Sequence, residues 1–327
     1  MIFSNFRFFV RFLVTILIFS YITMLGISRL AVSRCRVLGR SRSSLVDTHE
    51  MFLNLVKDHG EGSIDLTSHG TYAELVINNP SKRNAISGKM MFEFANIIDS
   101  LAPVSCSEVK NGFVGVLLRG TGKDAFSAGA DLSLVKEIVN TPVKGGLMSM
   151  FMTDALNLLH QSNLISVCVL NGPALGGGSE ITTSCDFRVM PTDDKVFVQF
   201  VHAKIGASPG WGGAYRLTKM VGRREALRMI GTSPRIAALE AQAINFADAL
   251  VQPYTDPAVS PDDHFRTAGV QFLQPYLDMQ FPGSVRAVKQ AIAAADELDT
   301  EAARGVELNM FKQRWGGSDN KTALTKK

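Results

Sequence analysis

Two glycine-rich turns carry residue types suited to holding a negatively charged oxygen. One spans residues 126–132 (FSAGADL), and the other spans residues 171–180 (NGPALGGGSE). Each follows a short apolar run that predicts a buried strand, and each leads into a predicted helix, where backbone N–H groups lack helical partners. Two such donors aimed at one point can stabilise a developing oxyanion. A run of three glycines alone predicts only a tight turn, so the pairing of the two turns is what indicates a site.

The elements that must position these turns alternate along the chain. The pattern predicts strands over 71–80, 113–119, 165–170, 187–190 and 195–199, and helices over 87–101, 211–222, 223–230, 236–245, 264–278, 284–298 and 301–314. Strands with crossover helices come first, and helices dominate afterwards. The predicted fold class is therefore α/β, with a helical C-terminal region.

The charge of the chain is unevenly distributed. The net charge is +4, yet residues 1–46 contain seven of the 34 Lys and Arg residues and no Asp or Glu. The remaining chain holds 27 basic and 30 acidic side chains, so its net charge is −3. A nucleic-acid-binding domain usually has a concentrated basic face. We therefore expect no nucleic-acid partner.

The first 46 residues form a leader outside the predicted fold. Residues 12–28 are an uncharged stretch of 17, near the short limit for a membrane-spanning helix. Three interpretations remain open, namely a membrane anchor, a mitochondrial transit peptide, and a cleaved secretory signal or an incorrect start. The four cysteines (Cys35, Cys106, Cys168 and Cys185) are scattered, which gives the secretory interpretation little support.

Several cofactor classes lack their usual motifs. Residues 70–181 contain neither a G-x-G-x-x-G after a strand nor a P-loop, and the chain has no H-E-x-x-H. No cluster of carboxylates and histidines has the spacing of metal ligands. We expect no metal and no redox cofactor.

Four motifs together resemble the enoyl-CoA hydratase/isomerase (crotonase) superfamily. They are N-N-P-x-x-x-N-A at 78–85, the two glycine-rich turns, and G-x-x-P-x-x-G-G at 206–213, and the likeness runs from about residue 63 to the C-terminus. The resemblance implies a spiral of ββα units over 47–260 and a helical oligomerisation region over 261–327. It also implies an acyl-CoA ligand whose thioester oxygen accepts hydrogen bonds from the N–H groups of Ala130 and Gly177.

The resemblance also bears on the reaction. Hydratases of this family use two glutamates, and here the corresponding positions hold Glu180 and His202. Because hydration needs paired carboxylates to hold and split water, this replacement disfavours it. Further stretches, among them R-N-A-I-S-G at 83–88, P-G-W-G-G at 209–213 and W-G-G at 315–317, are similar to a subgroup that decarboxylates ethylmalonyl-CoA and methylmalonyl-CoA. Glu180, or His202 oriented by Glu180, is the predicted proton donor.

The remaining expectations also come from the resemblance. The predicted CoA contacts are Lys82, Arg83, Ala85, Ala128 and Asp131, and CoA enters as part of the substrate. A homotrimer or a dimer of trimers is expected, with Phe272, Leu277, Met310, Phe311 and Trp315 as contact residues. The alternative is that these residues pack on the core of their own chain. Family membership implies the cytosol, whereas the leader leaves mitochondrial or membrane attachment open. Two alternatives remain, a hydratase or isomerase of fatty-acid oxidation and a non-catalytic protein that binds acyl-CoA or RNA.

Overall fold

A computed structural model of the chain describes residues 42–101 and 112–325. Its helices are α1 (Arg42–Val56), α2 (Gly88–Leu101), α3 (Leu132–Glu137), α4 (Pro142–His160), α5 (Gly177–Thr182), α6 (Gly213–Thr232), α7 (Ala238–Ala243), α8 (Pro261–Leu277), α9 (Pro282–Glu297), α10 (Thr300–Arg314) and α11 (Ser318–Thr325). Its strands are β1 (Ser63–Ser68), β2 (Tyr72–Asn78), β3 (Gly115–Gly120), β4 (Ile165–Val169), β5 (Ala174–Leu175), β6 (Phe187–Pro191), β7 (Phe197–Gln199), β8 (Ile236–Ala237) and β9 (Ala249–Val251). Short 3₁₀ helices cover Pro80–Lys82 and Val201–Ile205.

Two sheets organise the part of the chain that the structure describes. Six strands pair in the order β1-β2-β3-β4-β6-β9, in which β1 is antiparallel to β2 and the other neighbours are parallel. A small second sheet has the order β5-β7-β8. The chain passes from the larger sheet to the smaller one directly after β4 and again after β6. The first of these passages contains the second glycine-rich turn.

Both faces of the larger sheet are covered by apolar clusters, and successive side chains of each strand point to one face and then the other. In β3, Val116 and Leu118 face a cluster that includes Phe94 of α2 and Leu156 of α4. Leu117 faces the opposite side, where it joins the cluster that contains Leu273 of α8. Strands buried on both faces explain the continuous apolar runs in the sequence.

Most predicted elements agree with the structure to within a few residues. The predicted break after residue 222 is confirmed, since Gly222 has a non-helical backbone (φ 78°, ψ 161°) inside α6. The predicted helix over 236–245 is wrong at its start, where β8 precedes α7. Helices α3 and α5 are the ones expected after the two glycine-rich turns, whereas six further elements (β1, β5, β9, α1, α4 and α11) were not predicted. The predicted leader boundary at residue 46 falls inside α1, and the stretch 12–28 lies outside the described residues.

Three of the five residues predicted to contact a neighbouring copy pack at least partly against their own chain. Met310 is buried within its own chain, and Phe272 and Leu277 pack against the sheet cluster around Leu273. Met310 thus packs within its own chain, whereas Phe272 and Leu277 are still partly exposed, and their contact with a neighbouring copy stays a prediction. Phe311 and Trp315 remain exposed. Within 42–101 and 112–325, no helix combines the length and apolar character needed to cross a membrane.

Candidate active site

The two glycine-rich turns lie against each other beyond the ends of β3 and β4. The N–H of Leu175 donates to the carbonyl of Ser127 at 2.9 Å. A β-carbon on Gly129 would lie 2.8 Å from the backbone nitrogen of Gly177, and one on Gly178 would lie 2.2 Å from the carbonyl oxygen of Ser127. Gly129 also has a φ of 87°, which side chains disfavour. Only glycine at these positions lets the two backbones approach so closely.

Two backbone donors remain free at this contact. The N–H groups of Ala130 and Gly177 donate to no other described residue. Both residues are partly exposed, whereas their immediate neighbours in sequence are buried. Accessible, unpaired donors on two adjoining turns are what an oxyanion requires. The structure therefore places on adjoining turns the two N–H groups that the family resemblance implies as donors.

The segment before α2 fixes the first turn. The N–H of Ile86 donates to the carbonyl of Gly129 at 2.7 Å, and the N–H of Asp131 donates to the carbonyl of Ile86 at 2.9 Å. Buried Asn84 donates to the carbonyls of Thr121 and Ala125 and accepts the N–H of Asn79. Both sides of Ala130 are thereby held, while its own N–H stays unpaired.

Glu180 of α5 is 1 % exposed and has both carboxylate oxygens engaged. Its Oε2 accepts the N–H groups of Trp211 and Gly213, each at 2.8 Å. Its Oε1 accepts the N–H of Gly210 at 3.2 Å and lies 3.0 Å from Nε2 of His202. Glu180 thus orders the loop that carries the Pro-Gly-Trp-Gly-Gly motif.

His202 is brought to Glu180, as its register in the sequence predicted. It lies in the 3₁₀ helix Val201–Ile205 and is buried. Its second ring nitrogen, Nδ1, is buried and has no hydrogen-bond partner among the described residues. A buried polar atom without a partner costs about 1–3 kcal/mol, so it needs an explanation. It is an atom that a ligand could satisfy.

Sequence reasoning assigned no role to Trp211 or Arg216. A β-carbon on Gly177 would lie 2.4 Å from the Trp211 ring, so the indole packs directly on the oxyanion turn. Arg216 of α6 is buried and donates to the Trp211 carbonyl at 2.7 Å and to Thr183 Oγ1 at 3.0 Å. Burial lowers the pKa of Arg216 to about 10, an effect that the Glu180 carboxylate opposes. No motif in the sequence marks Arg216 for this position.

Comparison with known proteins identifies the family. Residues 68–326 match the sequence profile described as enoyl-CoA hydratase/isomerase. The chain belongs to the enoyl-CoA hydratase/isomerase family. The predicted family and fold are therefore confirmed. The chain is also 37 % identical, over 267 residues, to a protein named ethylmalonyl-CoA decarboxylase from Xenopus tropicalis, covering 81 % of this chain and 83 % of that one.

Solved structures support the family fold. An enoyl-CoA hydratase from Bacillus anthracis has a TM-score of 0.69 at 22 % identity and covers 80 % of this chain and 94 % of its own. A protein of Thermobifida fusca in complex with acetoacetyl-CoA has a TM-score of 0.61 at 22 % identity, with coverages of 77 % and 94 %. At these identities, the likeness concerns the fold alone.

The CoA contacts expected for this family surround the first turn. Lys82 and Arg83 are exposed on the loop before α2, and the carbonyl of Arg83 accepts the N–H of Ala128 at 3.0 Å. Both backbone polar groups of Ala85 are used internally, by Lys82 and by Asn79. Ala85 and Ala128 thus shape this loop, and their N–H groups are already occupied.

Asp131 caps the N-terminus of α3 and pairs with Lys82. Its carboxylate accepts the Ser133 N–H at 2.8 Å and lies 2.8 Å from Nζ of Lys82. Burial alone would raise the pKa of Asp131, but the Lys82 ammonium and Ser133 hold it at about 2. The same contact raises the pKa of Lys82. Lys82 is therefore a fixed positive charge beside the oxyanion turns.

One group among the described residues has the donor types of a metal site. It consists of His160, Asp296 and Glu297. Nζ of Lys219 already lies 3.2 Å from Asp296 and 2.9 Å from Glu297, so an ammonium compensates the carboxylates there. None of the four predicted catalytic residues belongs to this group.

Proposed function

We propose that the protein removes CO₂ from 2-alkylmalonyl-CoA thioesters, with ethylmalonyl-CoA as its main substrate and methylmalonyl-CoA as a second. The relatives named ethylmalonyl-CoA decarboxylase support this proposal, since they match at 33–37 % identity over at least 81 % of the chain. The acetoacetyl-CoA in the Thermobifida fusca protein supports an acyl-CoA ligand on this fold.

The two free N–H groups fit the first chemical step. The thioester oxygen of the substrate would accept hydrogen bonds from Ala130 and Gly177. When the C–CO₂⁻ bond is held perpendicular to the thioester plane, its electron pair flows into the thioester and forms an enolate. The preorganised donors stabilise the new negative charge, and each such donor is worth about 10²–10³ in rate. This step requires no base.

The observation that carries the choice of decarboxylation over hydration is the state of Glu180. A hydratase needs two carboxylates that share a water molecule. Here the second position is His202, and three backbone N–H groups hold the Glu180 carboxylate. No oxygen of Glu180 is left to orient a water for attack on a double bond.

CoA recognition would rest on the charged loop before α2. Lys82 and Arg83 are exposed beside the oxyanion turns and carry the charge that phosphate groups attract. The chain would supply binding and orientation, and no metal or redox cofactor enters the reaction.

A direct comparison of substrates tests the proposal. The full-length protein is assayed for CO₂ release from ethylmalonyl-CoA and methylmalonyl-CoA, and for hydration of crotonyl-CoA at the same concentration. We expect CO₂ release from ethylmalonyl-CoA to be the fastest of the three reactions. Hydration faster than CO₂ release would contradict the proposal and favour a hydratase or isomerase.

A further inference from the structure

The Glu180 carboxylate has no capacity left for a substrate. An ionised carboxylate offers about four lone-pair sites on its two oxygens. Here two donors meet Oε2, and one donor and His202 meet Oε1, at 2.8–3.2 Å. With these sites filled, Glu180 holds its neighbours in place, and its oxygens have no free position for a substrate.

This saturation fixes the tautomer of His202. Nε2 faces a carboxylate oxygen that already accepts a backbone N–H, so Nε2 carries a hydrogen and donates it. Proton exchange by the ring must then occur at Nδ1. This nitrogen is the buried one that has no hydrogen-bond partner among the described residues.

The segment that carries His202 runs beside the oxyanion turn. The N–H of Gly176 donates to the carbonyl of Gln199 at 3.2 Å. A β-carbon on Gly176 would lie 3.4 Å from Cγ2 of Val201. Gly176 directly precedes the donor Gly177, so the segment 199–201, which leads into His202, borders the oxyanion turn.

We propose that Nδ1 of His202 delivers the proton to the α-carbon, and that Glu180 is a positioning residue that holds the imidazole for this transfer. This proposal rests on the proposed function. After CO₂ leaves, the electron pair of the enolate forms the new C–H bond, and the Nδ1–H bond of the imidazolium breaks. The thioester carbonyl is restored, and the neutral imidazole regains a proton from water once the product has left.

The configuration of the product formed in D₂O tests which side chain donates the proton. Wild-type protein converts ethylmalonyl-CoA to butyryl-CoA with one deuterium at C2, and we expect a single configuration, since one side chain delivers it. His202→Gln retains an amide that can donate to Glu180 but cannot transfer a proton. We expect this variant to form product about 10²-fold more slowly, with deuterium in both configurations.

Further variants test the role of Glu180. If Glu180 acts through His202, then Glu180→Gln and the double variant with His202→Gln give the same mixed configuration as His202→Gln alone. His264→Gln, which changes a histidine on α8 that bonds the Gln252 carbonyl, is the matched control and keeps the wild-type product. Butyryl-CoA incubated with each variant in D₂O controls for exchange after the reaction.

The outcomes distinguish the two proposals. Single-configuration product from His202→Gln at the wild-type rate would overturn the His202 assignment while leaving decarboxylation intact. His202→Asn, measured in the same way, provides a second test if His202→Gln does not fold. Absence of CO₂ release from the wild-type protein would instead refute the proposed function itself.

Discussion

Two buried glutamates organise two regions of this molecule by different means. Glu74 on β2 is 2 % exposed, and its partners are charged or ionisable side chains, with Nε of Arg119 at 2.7 Å, Nε of Arg266 at 2.9 Å and His69 at 3.0 Å. Burial alone would raise the pKa of Glu74, but the two guanidinium groups lower it. Glu180 is equally buried, yet its partners are three backbone N–H groups and His202.

The two glutamates therefore have different structural roles. Guanidinium groups on β3 and α8 reach Glu74 from two elements, so this cluster ties the helix to the sheet. Backbone donors reach Glu180 only when the loop around Gly210 has one particular shape, so Glu180 sets the path of the chain there. The first arrangement supports stability, and the second positions a site.

The largest expected effect is on the stability of the Glu74 region. Glu74→Ala leaves buried Arg119 with Asp262 as its remaining carboxylate, and we expect a loss of about 3–5 kcal/mol in the free energy of unfolding. Urea unfolding measures this loss. Glu225→Ala, which removes a partly exposed partner of Arg228, is the control and should cost less than about 1 kcal/mol. If the rate of CO₂ release per folded molecule also falls, the Glu74 cluster and the Glu180 region are not independent.

The second largest effect is expected at the oxyanion turns, where a substitution should lower the reaction rate without removing a native hydrogen bond. Ala130→Pro removes an N–H that donates to no described residue, so no native hydrogen bond is lost with it. We expect the decarboxylation rate to fall by about 10²–10³, measured as CO₂ release. Ala130→Ser keeps the N–H and should keep most of the rate. Equal rates for the two variants would remove Ala130 from the mechanism.

The smallest expected effect concerns CoA binding. Lys82→Met removes the ammonium beside Asp131, and we expect KM for ethylmalonyl-CoA to rise about two- to fivefold without a change in kcat. Steady-state kinetics at low salt measures it. Lys195→Met, which changes an exposed lysine on the turn before β7, should leave KM unaltered. A fall in kcat for Lys82→Met with unchanged KM would contradict a role in binding.

The strands could be predicted because their signals are local, since apolar runs bounded by glycines mark β3 and β4. The donors and the position of His202 opposite Glu180 followed instead from the resemblance to the family. Helix α4 was missed although Thr141 caps it and Pro142 begins it. These two signals were present, but the apolar residues that follow do not mark one face clearly.

The direction of the Glu180 carboxylate could not be predicted. It depends on Gly212, whose φ of 78° turns the chain, and on Arg216, which holds the Trp211 carbonyl. These contacts join residues more than 30 positions from Glu180 through a loop without a repeating pattern. The burial of Met310 could not be predicted either, because it depends on how α9 and α10 pack together.

The contact between Trp211 and Gly177 gives the protein an optical property. The chain has two tryptophans, of which Trp211 is 3 % exposed and Trp315 is 63 % exposed and stacked on Phe311. Their indoles therefore emit from different surroundings, one apolar and one aqueous. With Trp315→Phe, the remaining tryptophan fluorescence comes from Trp211, whose ring touches the oxyanion turn. We expect the binding of a thioester there to change this fluorescence, so binding can be measured without a label.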